Sequence, residues 1–125
     1  MKSLCISVVI AALATTNLAY ADFSSTKTKL EAAMASEVRT EAEIARDGNR
    51  KPIETLEFFG LRDDMTIVEL IPGGGWYSKL LAPTVRDSGQ YYAALGAGRL
   101  VQNLGDKPGF DKMSIVEGGG FSLEE

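Results

Sequence analysis

Glu69 followed by Pro72-Gly73-Gly74-Gly75 is the stretch whose residue types and spacing point most directly to chemistry. Glycine has no Cβ, so a run of glycines lets the backbone come close to a ligand, and a helix opening just beyond offers unpaired N–H groups. A carboxylate shortly before the turn can draw in a positively charged group of that ligand, directly or through water. The three glycines also read as a plain flexible loop, and their spacing is not the Gly-x-Gly-x-x-Gly of dinucleotide sites. Composition removes other chemistries. Without any histidine, the chain lacks the usual base near neutral pH and the commonest metal ligand. The single cysteine, Cys5, lies in an N-terminal leader, which leaves the remainder no thiol nucleophile, disulfide or thiolate metal site. Serine-histidine triads and metal centres are therefore not expected, and no residue is assigned as a catalytic base.

The elements that must position this turn follow from periodicity. Thr66 to Ile71 is rich in β-branched residues and reads as a mostly buried strand. Beyond the glycines, Trp76, Leu80, Leu81 and Val85 recur at helical spacing, with Pro83 expected to kink or shorten the last turn. The glycines thus join a strand to a helix. Upstream, Leu30, Met34, Val38, Ala42 and Ala45 predict one helix, or two with a break near Ser36. Asp47 to Pro52 reads as a turn, Pro52 as the first residue of a helix buried through Ile53, Leu56 and Phe59, and Gly60 as its left-handed end. Downstream, Gln90 to Leu95 and Lys112 to Glu117 read as two further strands, with a short helix around Leu100 to Leu104 between them.

The string from Met65 to Ser78, with Leu80-Leu81-Ala82-Pro83 behind it, resembles the first motif of class I S-adenosylmethionine-dependent methyltransferases, Glu/Asp-x-Gly-x-Gly-x-Gly. Glu69 matches the acid, Gly73 and Gly75 match the second and third glycines, and Ile71 departs from the first. Closer still is the resemblance to a group of exported, predicted methyltransferases with Arg-Asp-x-x-Arg-x-Pro-x-Glu-Thr-Leu-x-Phe-Phe-Gly-Leu ahead of Pro-Gly-Gly-Gly-Trp-Tyr. This chain has Arg46-Asp47, Arg50, Pro52, Glu54-Thr55-Leu56 and Phe58-Phe59-Gly60-Leu61 in that order. The similarity covers about Ser36 to Glu117.

The resemblance implies an α/β, Rossmann-like class I methyltransferase fold with N-terminal helices, ending after about three of its strands, and S-adenosyl-L-methionine as the cofactor. It implies a cofactor-side wall of Glu69, Pro72, Gly73, Gly74, Gly75 and Tyr77, the turn making room for the methionine part and ribose. Arg50, with Arg46 and Asn49, is either at the mouth of that site or a solvated helix-end charge. Glu117 is either on the adenine side or an exposed strand end. The end of the second strand, Tyr92-Ala93-Ala94-Leu95-Gly96, has no carboxylate for the ribose. The methyl acceptor is not assigned. The alternative function is a small exported binding or interaction protein that keeps the scaffold without the enzyme activity.

Lys2, the apolar run Leu4 to Ala14 and Ala19-Tyr20-Ala21 read as a signal peptide cut after Ala21, predicting an exported, periplasmic or secreted protein. The apolar run is too short for the ~20 residues of a membrane span. The division expected is therefore 1–21 signal peptide, 22–35 linker and start of the N-terminal helix, and 36–125 partial methyltransferase-like α/β domain. Phe23 to Thr28 in particular reads as mobile linker. A net charge of −4, made more acidic by loss of Lys2, argues against nucleic acid as a partner. A first strand with no partner on one side predicts self-association through an open sheet edge.

Overall fold

The computed structural model describes residues 23–116, so the leader, its cleavage point and Glu117 lie outside the described residues. Among the described residues four helices precede an alternating α/β unit: α1 (Ser24–Met34), α2 (Glu41–Ile44), α3 (Asp47–Arg50), α4 (Pro52–Phe58), β1 (Thr66–Leu70), α5 (Ser78–Val85), β2 (Gln90–Ala94), α6 (Gly98–Leu104) and β3 (Ser114–Val116). The strands form one open parallel sheet in the order β1-β2-β3. Thr66 pairs with Gln90 and Leu70 with Ala94, and Tyr92 to Ala94 pair with Ser114 to Val116.

This register puts Ile67 and Glu69 on the same face as Tyr91 and Ala93, and α5 covers that face. Leu30, Leu80, Val85 and Leu100 are almost wholly buried there, and α1 packs along α5. The opposite face of β1 is bare among the described residues. The expectation of a mostly buried strand is therefore corrected: burial alternates along β1, and Val68 and Leu70 are about half exposed. An edge strand covered on one face has only one side to hide.

The segment read as a linker is instead the first turns of α1. No apolar period marks Ser24 to Thr28, but a polar contact fixes it: Thr26 is buried, and its Oγ1 accepts from the Asp63 backbone N–H at 3.0 Å while donating to the Asp63 carboxylate at 3.4 Å. Lys29 adds an ion pair to Asp63 at 2.6 Å. The upstream periodicity resolves into two helices with the break at residues 35–40, and Ala42 and Ala45 turn out exposed.

The turn expected at Asp47 to Pro52 contains a single helical turn, α3, closed by Lys51 in the left-handed region. Pro52 then opens α4, where its missing N–H is harmless. Gly60 closes α4 at φ 73°. Leu56 is buried as expected, but Phe58 and Phe59 are largely exposed, so Phe59 is not part of the buried stripe. Helix α4 is too short to carry its apolar face past Leu56. Among the described residues no helix is long and apolar enough to cross a membrane.

Candidate functional site

Strand β1 ends in a backbone reversal. Ile71, at the position where the motif has its first glycine, adopts φ 54°, a conformation that β-branched residues seldom occupy. Its N–H still reaches the Ala94 carbonyl at 2.9 Å, so the parallel ladder continues one residue beyond the strand. The neighbouring strand exits in the same way, with Leu95 at φ 58° and Gly96 at φ 86°. Pro72 to Gly75 close a tight turn through Gly75 N–H to Pro72 O at 2.9 Å, with Gly73 and Gly75 at positive φ. Trp76 and Tyr77 lead from the turn into α5.

A cleft of about 680 Å³ lies at the carboxyl end of β1, between the glycine turn and the short helices α3 and α4. Glu69, Pro72, Gly74, Tyr77 and Arg50 all line it, as does Arg46. Gly73 and Gly75 do not, and neither does Asn49. The three glycines are thus unlike one another. Gly74 would carry a Cβ into open space, whereas a Cβ on Gly75 would sit 2.6 Å from Leu100 Cδ1 and 3.4 Å from Leu104 Cδ1. The expectation that Gly75 leaves room for a ligand is corrected: it leaves room for α6.

Glu69 is half-buried, and both its hydrogen bonds fall on Oε2, from Ser78 Oγ at 2.7 Å and from the Tyr91 hydroxyl at 2.5 Å. Burial pushes the carboxyl above its ordinary value, and the two donors offset part of that rise. The Tyr91 hydroxyl is pushed up in turn, by burial and by the neighbouring carboxylate. With Oε2 held from below, Oε1 has no donor among the described residues.

The wall opposite is built around Trp76. Its indole N–H donates to the Glu43 carbonyl at 3.0 Å, and two guanidinium groups lie over the ring, Arg50 at 4.7 Å and Arg39 at 5.7 Å from its centroid. Tyr77 meets the Trp76 ring edge-on at 4.7 Å and takes Arg50 at 5.7 Å from its own centroid. Arg39 is committed to Asp47 through two bonds of 2.6 and 2.8 Å, in a side chain with no exposure, although its Nε has no partner. Glu43 is likewise committed, taking Lys79 Nζ at 2.8 Å on each oxygen. Burial opposes the charge on Glu43, but Lys79 and the Thr40 N–H outweigh it and hold the carboxyl below its ordinary value.

The motif residues therefore divide by role. Asp47 locks Arg39 through two hydrogen bonds and ties α3 to the segment after α1, while Arg50 lies on the aromatic pair at the edge of the cleft. Arg39, Glu43, Ser78 and Tyr91 were not singled out in the sequence. Thr40-x-x-Glu43 carries a capping-box signature that could have flagged Glu43, and the structure makes both of its bonds. Nothing local marks Ser78 and Tyr91, which reach Glu69 from other elements. Comparison with family models, curated proteins and solved structures finds no match to this chain.

Proposed function

We propose that this domain is Rossmann-like and binds S-adenosylmethionine as the methyl donor of a class I methyltransferase, with Glu69, Pro72, Gly74 and Tyr77 on the cofactor side. One observation carries the reading: a parallel strand has an acid as its penultimate residue, a turn with glycine-type backbone at Ile71, Gly73 and Gly75 follows, and this turn opens on a cleft at the carboxyl end of the sheet. Open α/β sheets place their ligands outside the carboxyl ends of the strands. The left-handed Ile71 lends further support, since the backbone has the glycine shape of the motif even where the residue differs. The residues present fit the cofactor: a carboxylate for its ammonium group, guanidinium groups for its carboxylate, and aromatic side chains beside a cationic centre. Methyl transfer asks mainly that the acceptor be aligned with the sulfonium methyl, so positioning can supply much of the rate.

The test is calorimetric titration of the full chain with S-adenosylhomocysteine, the demethylated product form of the donor. Binding is expected, and Gly74→Val should abolish it while leaving the fold intact, because that side chain points into open cleft. Absence of binding by the folded wild-type chain refutes the reading. A second reading, a binding module that keeps the scaffold, draws on the end of β2, where Ala94-Leu95-Gly96 offers no carboxylate to ribose hydroxyls.

A further inference from the structure

Residues 41–50, which carry α2 and α3, supply one wall of the cleft through Glu43, Arg46 and Arg50. Yet none of the ten is buried, and none of their apolar side chains belongs to the core. Their backbone hydrogen bonds stay local, from Glu43 N–H to the Thr40 carbonyl at 3.0 Å through Arg50 N–H to the Arg46 carbonyl at 3.0 Å. The stretch is thus tied to the body of the domain by polar and cation-ring contacts alone.

Those contacts fall at three places. Asp47 joins the stretch to the segment by which the chain enters it, taking Arg39 at 2.6 and 2.8 Å, and Arg39 is itself fixed to the Met34 carbonyl at 3.0 Å. Where the chain leaves, Lys51 turns it in the left-handed region, and Thr55 Oγ1 donates to the Arg50 carbonyl at 2.9 Å. Between these two, Glu43 reaches across to the strand-to-helix turn and α5. Its carbonyl accepts from the Trp76 indole N–H at 3.0 Å, and its carboxylate takes Lys79 Nζ at 2.8 Å on each oxygen. Arg50 only rests on the rings of Trp76 and Tyr77.

We propose that residues 41–50 form a lid over the cleft, which swings about its two tied ends and is bolted shut by Glu43 against Trp76 and Lys79. Lifting it takes away the wall that carries Arg46 and Arg50 and uncovers the Trp76 ring; closing rebuilds both. The movement breaks polar contacts that water can replace and takes no side chain out of the core. The closed position also leaves Arg39 Nε buried with no partner, and water admitted as the lid lifts would meet it. A ligand that touches both the lid and β1 binds the closed form better and so shifts the lid towards it. The lid itself does not rest on which ligand the cleft takes.

Trp76 is the single tryptophan of the sequence, is 6 % exposed and stands at the bolt, so its indole N–H and its fluorescence report lid opening apart from unfolding. Deuterium exchange of the indole N–H in the full chain is followed by NMR beside the backbone amides of α5 and β2, at several low urea concentrations. The indole is expected to be protected at least about tenfold less than those amides and to respond little to urea, since lifting the lid exposes little surface. Lys79→Met keeps the apolar stem and removes the charge that Glu43 meets. It should speed indole exchange by about tenfold more and raise acrylamide quenching of Trp76 fluorescence, with the α5 and β2 amides unchanged. Glu43→Gln should move both readouts the same way without altering α5.

Indole exchange that matches the α5 amides in protection and in urea dependence would overturn the lid, because residues 41–50 would then leave only when the whole domain unfolds. Equal acceleration of the indole and of the α5 and β2 amides in Lys79→Met would overturn it as well, the Glu43–Lys79 pair then holding the domain rather than a lid.

Discussion

At the scale of single residues, Ile71 is the position where sequence and backbone disagree most. It is about three-quarters exposed, so its side chain gains little from burial, yet it sits in the left-handed region. That conformation costs an L-residue about 1–2 kcal/mol, from which the greater freedom of glycine in the unfolded chain must be subtracted, roughly 0.4–1 kcal/mol. Ile71→Gly should therefore stabilise the fold by about 0.5–1 kcal/mol, read from urea unfolding midpoints; a loss of stability would mean that the isoleucine side chain has a partner that outweighs its strain. The departure from the motif was visible in the sequence, but that the backbone keeps the glycine shape regardless was not, because a dihedral angle is set by the turn as a whole. Glu69 gives a second prediction at this scale. Its carboxyl is raised in the folded state, so the folded chain binds the proton more tightly than the unfolded chain does. The contribution to stability is present below the ordinary value of 4.5 and is lost as pH rises through the raised one. Wild type should accordingly lose stability relative to Glu69→Gln over that rise, measured by urea unfolding at a series of pH values; a gap that stays flat or runs the other way would show that Ser78 and Tyr91 more than offset the burial.

At the scale of elements, the strand-turn-helix unit was legible because its signals are local: β-branched residues, then glycines, then helical spacing. Its depth was not legible, since what lies beneath Gly75 comes from α6, some 25 residues further on by sequence. A methyl at Gly75 must move Leu100, which is 1 % exposed and has nowhere to go. Gly75→Ala should cost about 2–4 kcal/mol through overpacking and left-handed strain together. Leu100→Ala in the same chain should recover part of that cost, a coupling that a double-mutant cycle of unfolding free energies would detect; strict additivity would place the damage elsewhere. The short helices α2 and α3 make the complementary case. Neither buries an apolar residue, so the burial pattern within them carries no sign that they belong to the core. They are held by polar contacts to Trp76, Lys79 and Arg39 instead. Trp76→Phe removes the indole donor to the Glu43 carbonyl, which keeps the Arg46 N–H at 3.2 Å and Arg39 Nη2 at 3.4 Å, and should cost about 1 kcal/mol and speed hydrogen exchange across residues 41–50 first. Uniform exchange changes over the whole chain would argue against a separately anchored cap.

At the scale of the whole molecule, the sheet has two edges of different character. The β1 edge carries Val68 and Leu70 about half exposed with Ile71 more so, and Phe58 and Phe59 stand exposed nearby in sequence at the end of α4. Unpaired N–H and C=O groups beside apolar side chains template association. Self-association through this edge is expected to appear in light scattering as mass rising with protein concentration, and Leu70→Lys should suppress it; a chain that stays monomeric at all concentrations would remove the edge from consideration. An open edge was anticipated from the apolar run of β1, while the exposure of both phenylalanines was not, because a helix that stops early looks in sequence like one that continues. The order of the strands has one more consequence, and it concerns time. Because β1, β2 and β3 lie side by side in the order of synthesis, each new strand meets one already formed as the chain emerges from the ribosome, and no strand must wait for a later one to be inserted between. Assembly of the described sheet therefore advances in a single direction, and the outer side of β1, the oldest surface of the sheet, is the one that no other described strand covers as that assembly proceeds.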